Sequence, residues 1–180
     1  MSKEPSSLDI FRVADLLAIA YRIELDAVER YGLLADQMET HNNPELTKVF
    51  RDLSKAESIH AAEIRESREM AGDTDLNGRA NALQSLWPKG ESPEEVDLGA
   101  AHYLMTPWHA LQLCLAGEKR ALAFFTSIAE TAKDAKVKEM AAELVEEEAE
   151  HVNLVYRLMR KYPEPTDSWS QDGDPPAAQD

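Results

Sequence analysis

From Leu8 to about Glu39 apolar residues recur every three or four positions, at Leu16, Ile19, Ile23, Ala27, Leu34 and Met38, with no proline among them. This spacing predicts one long amphipathic helix. A short flexible lead over 1–7 precedes it, in which Ser6 or Ser7 caps the first turn and Ser6-x-x-Asp9 has the capping-box form. His41-Asn42-Asn43-Pro44 ends this helix and starts another, with Asn43 as N-cap and Pro44 at the first helical position. The second helix runs to about Ala71 and places Leu46, Val49, Phe50, Leu53, Glu57, His60 and Ile64 along its inner face. A connection this short makes the two helices an antiparallel hairpin.

Residues 72–106 lose that periodicity. Gly72-Asp73, Asn77-Gly78, Pro88-Lys89-Gly90 and Ser92-Pro93 are turn signals, and the fragments Ala80–Trp87 and Pro93–Leu104 between them predict short helices. The segment reads as a long crossover. Its one candidate ligand is His102, which reads first as a surface or packing residue. A third helix is predicted from about Pro107 to Ala132, with Leu111, Leu115, Glu118, Leu122, Phe125 and Ile128 inward. A fourth runs from Asp134 or Ala135 to Arg160, with Met140, Leu144, Glu148, His151, Val155 and Leu158 inward. Pro163 and Pro165 stop it, and the Pro-, Ser- and Asp-rich segment over 163–180 predicts a disordered tail. The fold class is therefore all-α: an antiparallel four-helix bundle over 8–162, with its crossover between helices two and three.

Against this pattern, some charged residues stand out because they fall on the apolar stripes. Glu24 lies between Ala20 and Ala27, a costly position for a carboxylate unless something compensates it. Glu57-Ser58-Ile59-His60 and Glu148-Ala149-Glu150-His151 share the form Glu-x-x-His, which puts a carboxylate and an imidazole on one helical face. Each pair follows a lone glutamate on the preceding helix, at similar distances: 57 − 24 = 33 and 148 − 118 = 30.

The surroundings repeat as well. Glu24-x-x-Ala27-x-x-x-Tyr31-x-x-Leu34-Ala35 matches Glu118-x-x-Ala121-x-x-x-Phe125-x-x-Ile128-Ala129, and Leu53 and Leu144 stand at the same distance before Glu57 and Glu148. Two matched hairpins imply an approximate two-fold axis with six ligands straddling it. A lone Glu-x-x-His on an acidic helix is ordinarily a surface coincidence, and Glu147 to His151 offers a rival pairing. Only the Glu148 spacing repeats that of Glu57 and His60. Four carboxylates and two imidazoles on four helices form the ligand set of a di-iron or di-manganese carboxylate bundle. Glu57 and Glu148 are suited to bridging and Glu24 and Glu118 to terminal positions, with His60 and His151 completing one metal each.

Two neighbours have both a chemical and a packing reading. Tyr31, two turns after Glu24, can hydrogen-bond a ligand carboxylate or act as a redox-active catalytic phenol, but Phe125 at the mirrored position favours packing. Cys114, one turn before Glu118, can line the approach to the metals, while its mirror Ala20 favours a small buried residue.

Composition narrows the function classes. The 180 residues are enough for one domain with a core of its own, and 43% hydrophobic with 29% charged residues is ordinary for a globular protein. A formal net charge of −15 argues against nucleic acid or an anionic membrane as partner, since both need basic surface. Trp87, Trp108 and Trp169 are not interleaved with basic residues and suggest no base stacking. One cysteine permits neither an internal disulfide nor a Cys-x-x-Cys metal knuckle, and no stretch approaches a signal peptide or a membrane span. The expected location is cytoplasmic.

The order Glu24, Glu57-x-x-His60, Glu118, Glu148-x-x-His151 resembles the ferritin-like superfamily, and within it the rubrerythrin-type and bacterioferritin-type di-iron proteins. The Glu-x-x-Ala and Leu-Ala context around Glu24 and Glu118 resembles rubrerythrins in particular. The resemblance covers about residues 10–70 and 107–161. It implies a cofactor of two iron ions, with manganese or a mixed pair as the variant, that reacts with hydrogen peroxide or dioxygen. It also implies a homodimer or larger homo-oligomer. Typical rubrerythrins carry a rubredoxin domain with four iron-binding cysteines; the single cysteine here implies electrons from a separate partner. They also carry a further glutamate three residues after the third-helix ligand, where this chain has Ala121, which leaves a symmetric set closer to bacterioferritins. The expected activity is that of a di-iron oxidoreductase reducing peroxide or dioxygen; the alternative is a ferroxidase or iron-storage protein of the ferritin type. A metal-free bundle used for interaction would have to bury six clustered ionisable groups uncompensated, which is energetically poor.

Overall fold

The chain reverses at Asn42, and the geometry there explains why two asparagines precede Pro44. Asn42 has φ 53°, the left-handed region that asparagine tolerates better than most residues. Asn43 then accepts a hydrogen bond from the Leu46 amide on its side-chain oxygen, at 3.1 Å, as an N-cap does. Around this turn helix α1 (Val13–Thr40) folds back on α2 (Pro44–Met70). A second hairpin pairs α4 (Pro107–Thr131) with α5 (Ala135–Met159). Asp134 caps α5 by accepting from the Lys136 and Val137 amides. The computed structural model describes residues 12–70, 75–83, 87 and 106–165, and among these all regular structure is helical.

Helices α1 and α2 pack along each other, as do α4 and α5, and α1 also touches α4 and α5, joining the hairpins into a four-helix bundle. The inward positions read from the sequence are inward here. Leu16, Ile19, Ile23, Leu34 and Met38 of α1 and Leu111, Phe125 and Ile128 of α4 are essentially sealed. Helix α2 buries a narrower stripe: Leu46, Phe50, Leu53, Glu57, Ala61 and, near its end, Arg68. Two apolar clusters result. One gathers Tyr31, Leu34, Met38, Phe50, Leu111, Cys114 and Val155. The other gathers Leu16, Ile19, Ile23, Phe124, Phe125, Ile128 and Val137. Glu24, Glu118 and Glu148 stand in sequence between the residues of these two clusters, so the polar layer lies where the clusters meet.

The crossover differs from expectation where it is described. Helix α3 spans Leu76–Ala82, so the predicted Asn77-Gly78 turn lies inside a helix, and the helix predicted from Ala80 to Trp87 ends at Ala82. The cause is local. Asp75 accepts a hydrogen bond from the Gly78 amide at 3.0 Å and starts the helix earlier than the turn signal suggests. Helix α3 packs on α1 through Ala80 against Ala18 and Tyr21, and through an ion pair of Arg79 with the buried Asp15 at 2.9 Å. Trp87 is buried against the second cluster. The predicted first turn at Leu8, the turns at 72–73, 88–90 and 92–93, the helix Pro93–Leu104, His102, Trp169 and the tail beyond 165 lie outside the described residues. Among the described residues no helix is long and apolar enough to cross a membrane.

Candidate metal centre

All six residues singled out by the repeat converge on one level of the bundle. They form two groups, Glu24 with Glu57 and His60, and Glu118 with Glu148 and His151, each offering donor atoms within 4.8 Å of one another. The hairpins supply one group each, and α2 and α5 bring the groups together. His60 and His151 stack with ring centroids 6.5 Å apart and planes 9° apart. His151 Nδ1 lies 3.3 Å from Glu118 and 3.4 Å from Glu57, so it touches both groups. A small cavity between them is lined by Glu24, Glu57, Glu118, Glu148 and His151, with Ile23 and Ala27 as its apolar wall.

Burial divides the ligand types. The four carboxylates are buried, while the His60 side chain is one-third exposed and that of His151 about one-fifth. The imidazoles thus form the wet side of the site. On α5 the rival pairing falls away, because Glu147 is exposed and Glu148 is buried. Glu146 and Glu150 are exposed as well and belong to the solvated face.

Packing four carboxylates out of water forces them to differ. Burial, reinforced by the hydrogen bond and charge of Glu57, pushes Glu24 up to about 11. Burial also raises Glu148 well above the carboxylate range, with the Glu118 charge adding to it. For Glu57 burial acts against ionisation, but hydrogen bonds with His60 and Glu24 outweigh it and hold the group below its ordinary value. Glu118 is held lower still, at about 2, because His151, Arg30 and Tyr31 together overcome its burial. His151 is raised to about 9: burial opposes its charge, and Glu118, Glu57 and Glu148 outweigh that. Each group therefore pairs one ionised carboxylate with one held neutral, the compromise expected where like charges share a dry site. A divalent cation removes the conflict.

The donor set fits such an ion. Carboxylate oxygens with some imidazole suit iron, manganese and zinc, and no thiolate is present to select a softer metal. Glu57 Oε1 supplies the sharper observation. It is sealed from solvent, and although His151 Nδ1 stands 3.4 Å away, the two are not aligned as a hydrogen bond. A buried lone pair left over in this way is explained when a ligand takes it.

Tyr31 is sealed in the core and stacks on Phe50, centroids 6.1 Å apart. Its hydroxyl donates to Glu118 Oε1, across the bundle, rather than to Glu24 on its own helix. Burial lifts the phenol well above its ordinary value, so it remains a donor. Cys114 is buried too, its Sγ donating to the Tyr31 hydroxyl at 3.4 Å, and burial pushes its thiol up to about 12. It is a packing and hydrogen-bonding residue behind Tyr31 and does not line the cavity.

The residue that sequence reasoning missed is Arg30. Its guanidinium reaches Glu118 Oε1 at 2.5 Å with 2% of either side chain exposed, and lies 4.6 Å over the Tyr31 ring. The signal was present: positions 23, 27, 30 and 34 form one apolar stripe, and Arg30 interrupts it as Glu24 interrupts its own.

Comparison with known proteins agrees with this geometry. A family model described as Rubrerythrin matches residues 15–94, which takes in most of α1 and all of α2 and α3. The crystal structure of an uncharacterized conserved protein from Magnetospirillum magnetotacticum MS-1 superposes with a TM-score of 0.67 at 34% identity, over 88% of this chain and 100% of that one. No curated protein matches the chain. The chain belongs to the rubrerythrin family. It is thus a ferritin-like four-helix bundle of the di-iron superfamily, with two carboxylate and histidine groups suited to a pair of metal ions. Within that family it has Ala121, fully buried in the second apolar cluster, one turn from Glu118.

Proposed function

We propose that this rubrerythrin-family protein is a di-iron oxidoreductase that reduces hydrogen peroxide or dioxygen with electrons from a separate partner. Glu24, Glu57 and His60 hold one iron, and Glu118, Glu148 and His151 hold the other. The observation that carries this reading is the pair of facing Glu-Glu-His groups, one from each hairpin, at the dry centre of a single bundle. Bound iron supplies the exchange of electrons with a small oxidant. The protein's part is positional. Ile23 and Ala27 wall the cavity against water. Arg30 and Tyr31 fix Glu118 from behind. The half-open edge at His60 and His151 is the side from which a small oxidant reaches the centre. The chain works in the cytoplasm as a homodimer or larger homo-oligomer, with no nucleic-acid or membrane partner.

A ferroxidase or iron-storage role is the second reading, favoured by Ala121 where typical rubrerythrins carry a further glutamate. One experiment separates the two. The metal-free chain is loaded anaerobically with ferrous iron, then mixed with peroxide or air while iron content and optical absorption are followed. Binding of about two irons per chain, oxidised faster by peroxide than by air and reducible again, supports the peroxidase. Continued uptake far beyond that ratio, in a closed shell, supports storage. Absence of bound metal refutes both.

A further inference from the structure

The two metal groups are related by an approximate repeat, but their surroundings are not. Residues 94 apart correspond in α1 and α4, since 118 − 24 = 94. By that rule Arg30 mirrors Phe124, Tyr31 mirrors Phe125 and Cys114 mirrors Ala20. All three polar members stand on the Glu118 side. Arg30 and Tyr31 both donate to Glu118 Oε1, and Cys114 donates to Tyr31. Glu24 stands 3.9 Å from His60 Nδ1.

We infer that the two positions bind metal unequally, the Glu24–Glu57–His60 position filling first, and that Arg30 with Tyr31 sets the difference. The inference rests on the di-metal reading and deepens it. Two effects act in the same direction. A carboxylate oxygen has two lone pairs, and two donors occupy both on Glu118 Oε1, which leaves Oε2 as the ligand atom. Among the described residues Glu24 is paired with no guanidinium or phenol. The charge effect is larger. Each group offers two carboxylates and one imidazole, but among the described residues only the second is paired with a buried guanidinium, which repels an incoming divalent ion through a medium that screens poorly. Arg30 is therefore a positioning residue that grades the two sites.

The test uses Co(II) with the full metal-free chain, followed anaerobically by calorimetry and visible absorption. Two binding steps are expected, separated by about tenfold to a hundredfold in affinity, the range over which outer partners change metal binding. Glu24→Ala removes the tight step and Glu118→Ala the weak one. Arg30→Gln draws the steps together by strengthening the weak one; Arg30→Lys, which keeps the charge, leaves them apart. Tyr31→Phe, which copies the mirrored Phe125, narrows the gap by a smaller factor and covers the case in which Arg30→Gln does not fold. Two ions bound with equal affinity, or the tight step lost in Glu118→Ala, overturns the grading and leaves the di-metal reading intact. So does an unchanged gap in a folded Arg30→Gln chain. A chain that binds no Co(II) refutes the di-metal reading itself.

Discussion

Arg30 and Glu118 form an ion pair at 2.5 Å that ties the first hairpin to the second, and 2% of each side chain is exposed. A buried pair adds less to stability than its geometry suggests, because both ions were solvated in the unfolded chain. Breaking it from one side is another matter. Arg30→Ala strands an ionised carboxylate and is expected to cost about 3–5 kcal/mol in the metal-free protein. Arg30→Met combined with Glu118→Gln is expected to recover most of that. Urea denaturation of Arg30→Met, Glu118→Gln and their double reads the coupling directly, and single losses that simply add in the double would show that the pair is energetically unimportant.

The candidate metal centre implies a conflict between folding and ligation at Glu24. Burial raises it to about 11, so above its ordinary value the unfolded chain ionises while the folded one keeps its proton. A raised folded value means that its contribution is full below about pH 4.5 and declines as pH rises from there toward 11. Glu24→Gln removes that loss. The variant is expected to be more stable than the parent at neutral pH without metal, by on the order of 1–3 kcal/mol. It is also expected to lose the rise in melting temperature that metal gives the parent. Calorimetric melts with and without added Mn(II) distinguish the outcomes; a less stable metal-free variant would count against the buried carboxylate conflict.

His151 adds a pH dependence of the same sign. Its folded value is raised to about 9, so its contribution is complete below about pH 6.5 and is lost as pH climbs through 9. Glu118 acts at the other end: held at about 2, it contributes above its ordinary value and loses that as pH falls toward 2. Between pH 6.5 and 9 the metal-free protein is therefore expected to weaken by on the order of 1–3 kcal/mol. Metal ligation needs His151 neutral and Glu24 ionised, so metal affinity rises over the same interval and binding releases protons. Calorimetric titration in two buffers of different ionisation enthalpy measures that release. A binding enthalpy independent of buffer would mean that no proton is displaced.

The interhelical turn can be tested apart from the site. Asn43→Ala removes the acceptor for the Leu46 amide and is expected to cost about 1 kcal/mol. Asn42→Val, at φ 53°, is expected to cost about 1–2 kcal/mol through backbone strain, while Asn42→Gly is tolerated. Denaturant midpoints of the three variants check this, with metal stoichiometry expected to stay that of the parent.

Much of this was legible along the chain because helices convert spacing into direction. The three- and four-residue recurrence from Leu16 to Met38 gave the buried stripe of α1, and Asn43-Pro44 gave the turn within a residue. Glu24, Glu57, His60, Glu118, Glu148 and His151 could be grouped from one dimension because the repeat supplied each with a counterpart. The crossover was less readable. Asn77-Gly78 carries a strong turn signal, and only the Asp75 cap with the docking of α3 on α1 overrides it. Arg30 was overlooked because it has no polar counterpart in the second hairpin, and the repeat drew attention to what matches.

By itself, then, the sequence determined the four long helices, their pairing into hairpins and the six residues that share a face. These follow from local periodicity and from a duplication that needs no coordinates to be seen. Tertiary structure alone decided that Tyr31 crosses to Glu118 and that a guanidinium stands on one side only. Those are facts about distances between helices, and the charge state of a buried carboxylate depends on neighbours that the chain brings together only when it folds.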